Sequence, residues 1–296
     1  VASEHPMPGT GARRPLASES QVEAMISLLS DSSDTVLTAC RDGLRAHPEL
    51  AEPLLRERLE SCDAEERAAL RAALLDVVGV RLEQPLVDHL VHAPDLEIGS
   101  LLIGRLLETG PERQAVTAAL DALADQVTAE LQVPGLDPDA DLAALTSVLG
   151  RAGGFSGARN EQAELQDVVL QGVCARRRGI PLALCTVWLL VARRVGIPLR
   201  GVNMPGHFLL RHVRADGHVV LDPFARGRPV RAEDCRRFLA SAGYPQLDVA
   251  LLDASDRDML QRTLRNLVMF ATRSGERDLA ARCARILRVS TRHIGT

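Results

Sequence analysis

Apolar residues recur at i, i+3 and i+4 through the first part of the chain, and this period predicts helix from about residue 21 to 131. Asp63 with Glu66 reads as a capping-box start for a helix that runs to Val78 and stops at Gly79. Pro94-Asp95 opens another helix, ending near Gly110, and Pro111 sits in the first turn of a third that reaches about Leu131. Turn residues fill 133–140; a short helix follows and breaks at Gly153-Gly154, and a further helix is expected over roughly 161–177. From Pro181 to Val195 apolar positions are almost unbroken, the mark of a helix buried on most sides, and Gly196 ends it. The period then shortens to two. Strands are expected at 199–203, 207–213 and 218–222, with Asp216-Gly217 as the hairpin signal. Helix returns at 231–240, and two amphipathic helices fill about 254–290, split near Ser274-Gly275.

The order is therefore helices, one central helix, a small antiparallel sheet, then helices, which is an α+β layout. It suggests a leader over 1–19 that is disordered for lack of apolar content, a helical region over 20–150, a core over 151–245 and a C-terminal helical hairpin over 246–296. Apolar residues at 46% and charged residues at 25% fit a soluble globular protein. A net charge of −4 and only 2% aromatics argue against nucleic acid or an anionic membrane as partner. No apolar run reaches the ~20 residues of a membrane span. No signal-peptide stretch is present, so a cytoplasmic location with reduced thiols is expected. All 35 basic residues are Arg, which removes Schiff-base and P-loop lysine chemistry. The six cysteines contain no C-x-x-C pair, which argues against a zinc site, and no cofactor is expected. His89 and His92, at i and i+3, are a weak metal signal more simply read as surface residues.

Cysteine catalysis needs a thiol near a helix N-terminus or a cation, an imidazole within reach and a third group that orients the imidazole. The chain offers Cys185 one turn inside the helix that starts at Gly179-Ile180-Pro181, His207 opening a strand, and Asp222 closing the next. A two-residue turn at Asp216-Gly217 sets Asp222 opposite residue 211, and a six-residue loop sets it opposite residue 207. Both are odd positions, so His207 and Asp222 share a face in either register. Of these two, only the wider loop brings them into hydrogen-bond range.

Four segments carry a resemblance. They are Arg177-Arg178-Gly179-Ile180-Pro181, Ala192-Arg193-Arg194-Val195-Gly196-Ile197-Pro198, Gly201-Val202-Asn203-Met204-Pro205-Gly206-His207-Phe208 and Leu221-Asp222-Pro223-Phe224. Together they resemble the transglutaminase-like superfamily, in the bacterial branch that joins a helical N-terminal region and a tetratricopeptide-like tail to the core. The resemblance is strongest over about 160–240. Segment 95–131, with Leu120-Asp121-Ala122-Leu123-Ala124, is similar to that branch's N-terminal region, and 259 to about 290 to a shortened tail. It implies a papain-like core with a Cys-His-Asp site, used for amide hydrolysis or acyl transfer. His207 and Asp222 match the superfamily His and Asp. The superfamily cysteine usually lies about fifteen residues before the glycine of the second Gly-Ile-Pro. That position is Pro181 here, and Cys185 lies about 6 Å further along the axis and about 40° round the helix. Asp167 stands where this branch suggests Asn.

The reading is an acyl-transfer enzyme with Cys185 as nucleophile, His207 as proton shuttle and Asp222 as its orienting carboxylate, acting on a peptide, amide or thioester. Backbone N–H groups near Gly179–Leu182 would hold the oxyanion. Asn203, Trp188 and Arg178 are the candidate substrate-binding residues. Each has a plainer alternative: Cys185 as a buried structural thiol, His207 as a structural hydrogen bonder, Asp222 as a turn cap, Asn203 as a turn residue, Trp188 as core packing, and Arg178 as part of a solvated helix end. A catalytically inactive module whose helical flanks bind a protein partner remains open, as does a thiol-independent enzyme using His207 as general base.

Overall fold

The computed structural model describes residues 17–107, 112–131, 137–159, 161–214, 217–241, 243–244 and 252–294. Residues 1–16 of the expected leader, Gly110, Pro111, 133–136 of the expected loop and Asp216 lie outside the described residues. The chain forms two compact units, Val1–Arg81 and Leu82–Thr296.

The first unit is helical. It holds α1 (Glu19–Ser27), α2 (Asp34–Ala46), α3 (Pro48–Ser61) and the start of α4 (Ala64–His92). Ser18 caps α1 through its Oγ, which accepts from the Gln21 N–H at 3.3 Å, while Gln21 Oε1 accepts from the Ser18 N–H at 2.9 Å. Val22, Leu44, Ala51 and Leu55 have no exposed surface. Asp63 opens α4 as expected, its Oδ1 accepting from the N–H groups of Glu65 and Glu66 at 2.9 Å. Gly79 does not stop the helix, which continues to His92. A helical glycine costs about 1 kcal/mol. Burial of Leu82, Leu86 and Leu90, one turn apart and at most 4% exposed, offsets that several-fold at roughly 1.5–3 kcal/mol each.

The second unit carries α5 (Leu96–Arg105), α6 (Arg113–Glu130) and α7 (Pro138–Leu145), the last running into a π-helical turn over Thr146–Ala152. Asp95 caps α5 through the Ile98 N–H at 2.8 Å. The helix expected over 161–177 is shorter. A 3-10 turn at Leu165–Asp167 precedes α8 (Leu170–Arg176), and Arg177 ends it in a left-handed conformation, φ 53°. Two-residue strands β1 (Ser156–Gly157) and β2 (Arg178–Gly179) pair in parallel just before α9 (Pro181–Val195).

Helix α9 has the predicted bounds. Proline stands in its first turn, Gly196 closes it at φ 74°, and twelve of its fifteen residues are buried. It packs on a five-stranded antiparallel sheet of order β6-β5-β4-β3-β7: β3 (Leu199–Met204), β4 (His207–Arg214), β5 (Gly217–Asp222), β6 (Arg228–Val230) and β7 (Leu252–Ala254). The three-residue edge strands were not anticipated. On one sheet face Val202, Met204, Leu209 and Val220 pack with Cys235 and Leu239 of α10 (Ala232–Ser241). Phe208, Leu210 and Leu221 alternate with them and are buried on the other face. Helices α11 (Asp256–Ser274) and α12 (Arg277–Ile294) close the chain as an antiparallel pair, Gly275 breaking them at φ 83°. No helix of the described residues is long and apolar enough to cross a membrane.

Candidate functional site

The site grows from the β3–β4 hairpin. Met204 pairs with His207 across Pro205-Gly206, and Gly206 adopts φ 72°, a conformation glycine reaches without steric cost. His207 thus opens β4. On the next strand, Leu210 pairs with Leu221, a register that puts Asp222 opposite Leu209. This lies between the two registers considered from sequence, and it corrects the expectation that only direct opposition would suffice. His207 and Asp222 are diagonal neighbours on one face, a separation that long side chains span. Nε2 of His207 meets Oδ2 of Asp222 at 3.0 Å. Oδ1 of Asp222 accepts from the Phe224 N–H at 3.0 Å, so the carboxylate is fixed at both oxygens. In the tautomer that donates Nε2–H to Asp222, Nδ1 carries the free lone pair. The pair stays partly open, at 17% side-chain exposure for His207 and 15% for Asp222. Phe224 stands edge-on to the ring at 5.8 Å and Phe238 lies tilted at 6.0 Å.

Cys185 is placed differently. It has no exposed surface, and its S–H donates to the Phe208 carbonyl at 3.5 Å, not to the imidazole. Burial pushes its thiol well above the ordinary range, and the Asp222 carboxylate adds to that; the Arg262 guanidinium opposes both. Pro181, at the superfamily position, has no nucleophilic side chain and no N–H. Among the described residues no side chain caps this helix start, whose approach is set by Asp167. Asp167 is fully buried, accepts from the Ile180 N–H through its carbonyl at 2.9 Å, and holds Arg178 at 2.8 Å through its carboxylate.

The other candidates fall around this centre. Arg178 is engaged by Asp167, which raises its already high pKa. Trp188 has no exposed surface, and among the described residues its Nε1–H has no hydrogen-bond partner. Asn203 is exposed on β3, where its Oδ1 accepts from Arg262. Sequence reasoning missed Arg262 on α11. Its guanidinium also donates to the carbonyls of Met204 at 3.1 Å and His207 at 2.9 Å, tying α11 to the hairpin. No local pattern marks it, because its partners lie more than fifty positions away. His89, the weak metal candidate, accepts instead from the Asp95 N–H at 3.1 Å. Among the described residues no group of three His, Cys, Asp or Glu is placed to hold a metal ion.

A sequence profile of the transglutaminase-like superfamily matches residues 114–265. The chain belongs to the transglutaminase-like superfamily. Over 155 residues this transglutaminase-like chain is 41% identical to a UPF0162 protein of Xylella fastidiosa (strain 9a5c), a match covering 50% of the chain and 55% of that protein. A UPF0162 protein of Pseudomonas aeruginosa is 42% identical over 114 residues, covering 38% of the chain and 41% of the relative. F-box only protein 21 of Mus musculus is 30% identical over 133 residues, which are 41% of the chain and 20% of that protein. The chain spans about half the length of the bacterial relatives it matches. No solved structure matches it.

Proposed function

We propose that this chain is a transglutaminase-like module that has lost thiol catalysis and serves as a protein-interaction or regulatory scaffold, with the His207–Asp222 pair as a recognition group. The observation that carries this reading is the state of Cys185. A thiol with no exposed surface, bonded to a backbone carbonyl and held protonated by burial, is neither a nucleophile nor reachable by a substrate. Meanwhile Nδ1 of His207, between Phe224 and Phe238, offers a polar acceptor in an apolar frame, suited to an N–H or O–H of a docked peptide segment. All six cysteines are free, the state expected in a reducing compartment such as the cytoplasm.

One observation favours a second reading, the Cys185-His207-Asp222 acyltransferase or amidohydrolase. Cys185 is bonded to the carbonyl of the residue next to His207 and feels the charge of Asp222, so the three groups are neighbours. The full chain incubated with a panel of activated amides and thioesters, followed by intact-mass measurement, decides between them. The scaffold reading expects no acyl adduct and no iodoacetamide labelling of Cys185 in the folded protein. An adduct lost in Cys185→Ala and diminished in His207→Ala would overturn it in favour of the enzyme.

A further inference from the structure

A cavity of about 800 Å³ lies against the sheet face that carries Val219 and Leu221, the face opposite to His207 and Asp222 by strand alternation. Helix α7 and the π-helical turn form its wall, and Leu142 joins the two strand residues in an apolar floor. Its rim is strongly basic. Arg151, Arg214, Arg226 and Arg228 line the cavity, and among the described residues Asp139 is the one carboxylate in its lining. Asp139 is taken up by Arg214 at 2.6 Å, and Arg228 lies in the field of Asp234. Among the described residues neither Arg151 nor Arg226 has an ion-paired or hydrogen-bonded carboxylate partner. Elsewhere several guanidiniums are taken up by carboxylates, as in Arg178–Asp167 and Arg194–Glu97.

The backbone at Arg226 is built, not loose. Arg226 and Gly227 are consecutive left-handed residues, φ 58° and 79°, closed by the Gly227 N–H donating to the Asp222 carbonyl at 2.8 Å. A Cβ on Gly227 would fall 2.3 Å from Trp188, and one on Gly150 would fall 2.5 Å from the Arg226 carbonyl. The corner is therefore wedged between α9 and the π-helical turn, and its guanidinium is presented from a fixed point. A chain of net charge −4 holds here a pocket of net positive charge over an apolar floor. Desolvated oxyanions take fork-like guanidinium hydrogen bonds, and the apolar floor has room for a hydrocarbon body.

We propose that this cavity binds a small amphipathic anion, a phosphate or carboxylate head held by Arg151 and Arg226 with a short apolar body against Leu142, Val219 and Leu221. The site stands apart from the His207–Asp222 pair and does not rest on the reading given to that pair. Calorimetric titration of the full chain with octyl phosphate, octanoate, inorganic phosphate and 1-octanol tests it. The expected result is saturable one-to-one binding of at least one octyl anion, weaker at high salt, and at least about tenfold tighter than inorganic phosphate or octanol. The tighter of the two octyl anions identifies the head group. Arg151→Gln and Arg226→Asn, the latter chosen because asparagine tolerates the left-handed backbone, should each weaken it about tenfold with unchanged thermal melts. Failure of both octyl anions to saturate, equal binding of octanol or inorganic phosphate, or undiminished binding in both variants would each overturn the proposal.

Discussion

Strand β4 carries two histidines, each facing an aspartate, and they differ in almost every physical respect. His207 meets Asp222 at 3.0 Å in a partly open site. His212 lies at 3.7 Å from Asp141 of α7, and both side chains are 1% exposed. Odd and even positions send the two rings to opposite faces of the sheet. Burial pushes the pKa of His212 down, and the Asp141 charge offsets this only in part. The same two residue types thus give an oriented, reachable imidazole on one face and a desolvated neutral one on the other. Access and hydrogen-bond geometry, not composition, separate the two pairs.

The comparison can be broken by substitution. His212→Ala should cost about 3 kcal/mol or more in urea unfolding, since it leaves a void and removes the imidazole that faces the buried Asp141 carboxylate. A loss below about 1 kcal/mol would mean that the buried pair contributes little. Cys185→Ala should cost about 2 kcal/mol through its small cavity and the lost contact with Phe208, with no gain or loss of labelling by iodoacetamide in the native state.

A pH series sharpens the contrast further. His212 has a lowered folded pKa, so below the ordinary histidine value of about 6.5 the unfolded chain binds a proton that the folded chain refuses. Stability is therefore full above that value and falls as the pH drops below it, by up to about 1.4 kcal/mol per unit until the folded pKa is reached. Melting temperatures of wild type and His212→Gln between pH 7.5 and 5 check this, and equal slopes would remove His212 as the cause. Smallest of all, His207→Ala should change stability by under about 1 kcal/mol, because the site is partly open and its partner keeps the Phe224 N–H. A larger loss would make the His207–Asp222 bond a structural tie.

Much of the second unit was legible because its signals are local. Pro181 and Gly196 bracket α9, and a change of period marks β3 to β5. Parity alone put His207 and Asp222 on one face. Their register was not legible, since the two candidate turns bracket the real pairing without including it. The orientation of Cys185 was hidden for a different reason: a helix apolar on all sides has no hydrophobic face to read. His212 and Asp141 are 71 positions apart, and β6 and β7 are three-residue edges that exist only by pairing, so no window along the chain contains either signal. Gly79 failed as a stop because burial along α4 outweighs a single poor helix former.

Arg262 ties the last helices to the β3–β4 hairpin. Because one guanidinium from α11 grips the carbonyls on both sides of Pro205-Gly206, the loop that aims the imidazole is anchored from outside the sheet. A fragment trimmed to the sheet and its two flanking helices would lose that anchor. Its silence in a binding or activity assay would then report a slackened hinge, not an absent site.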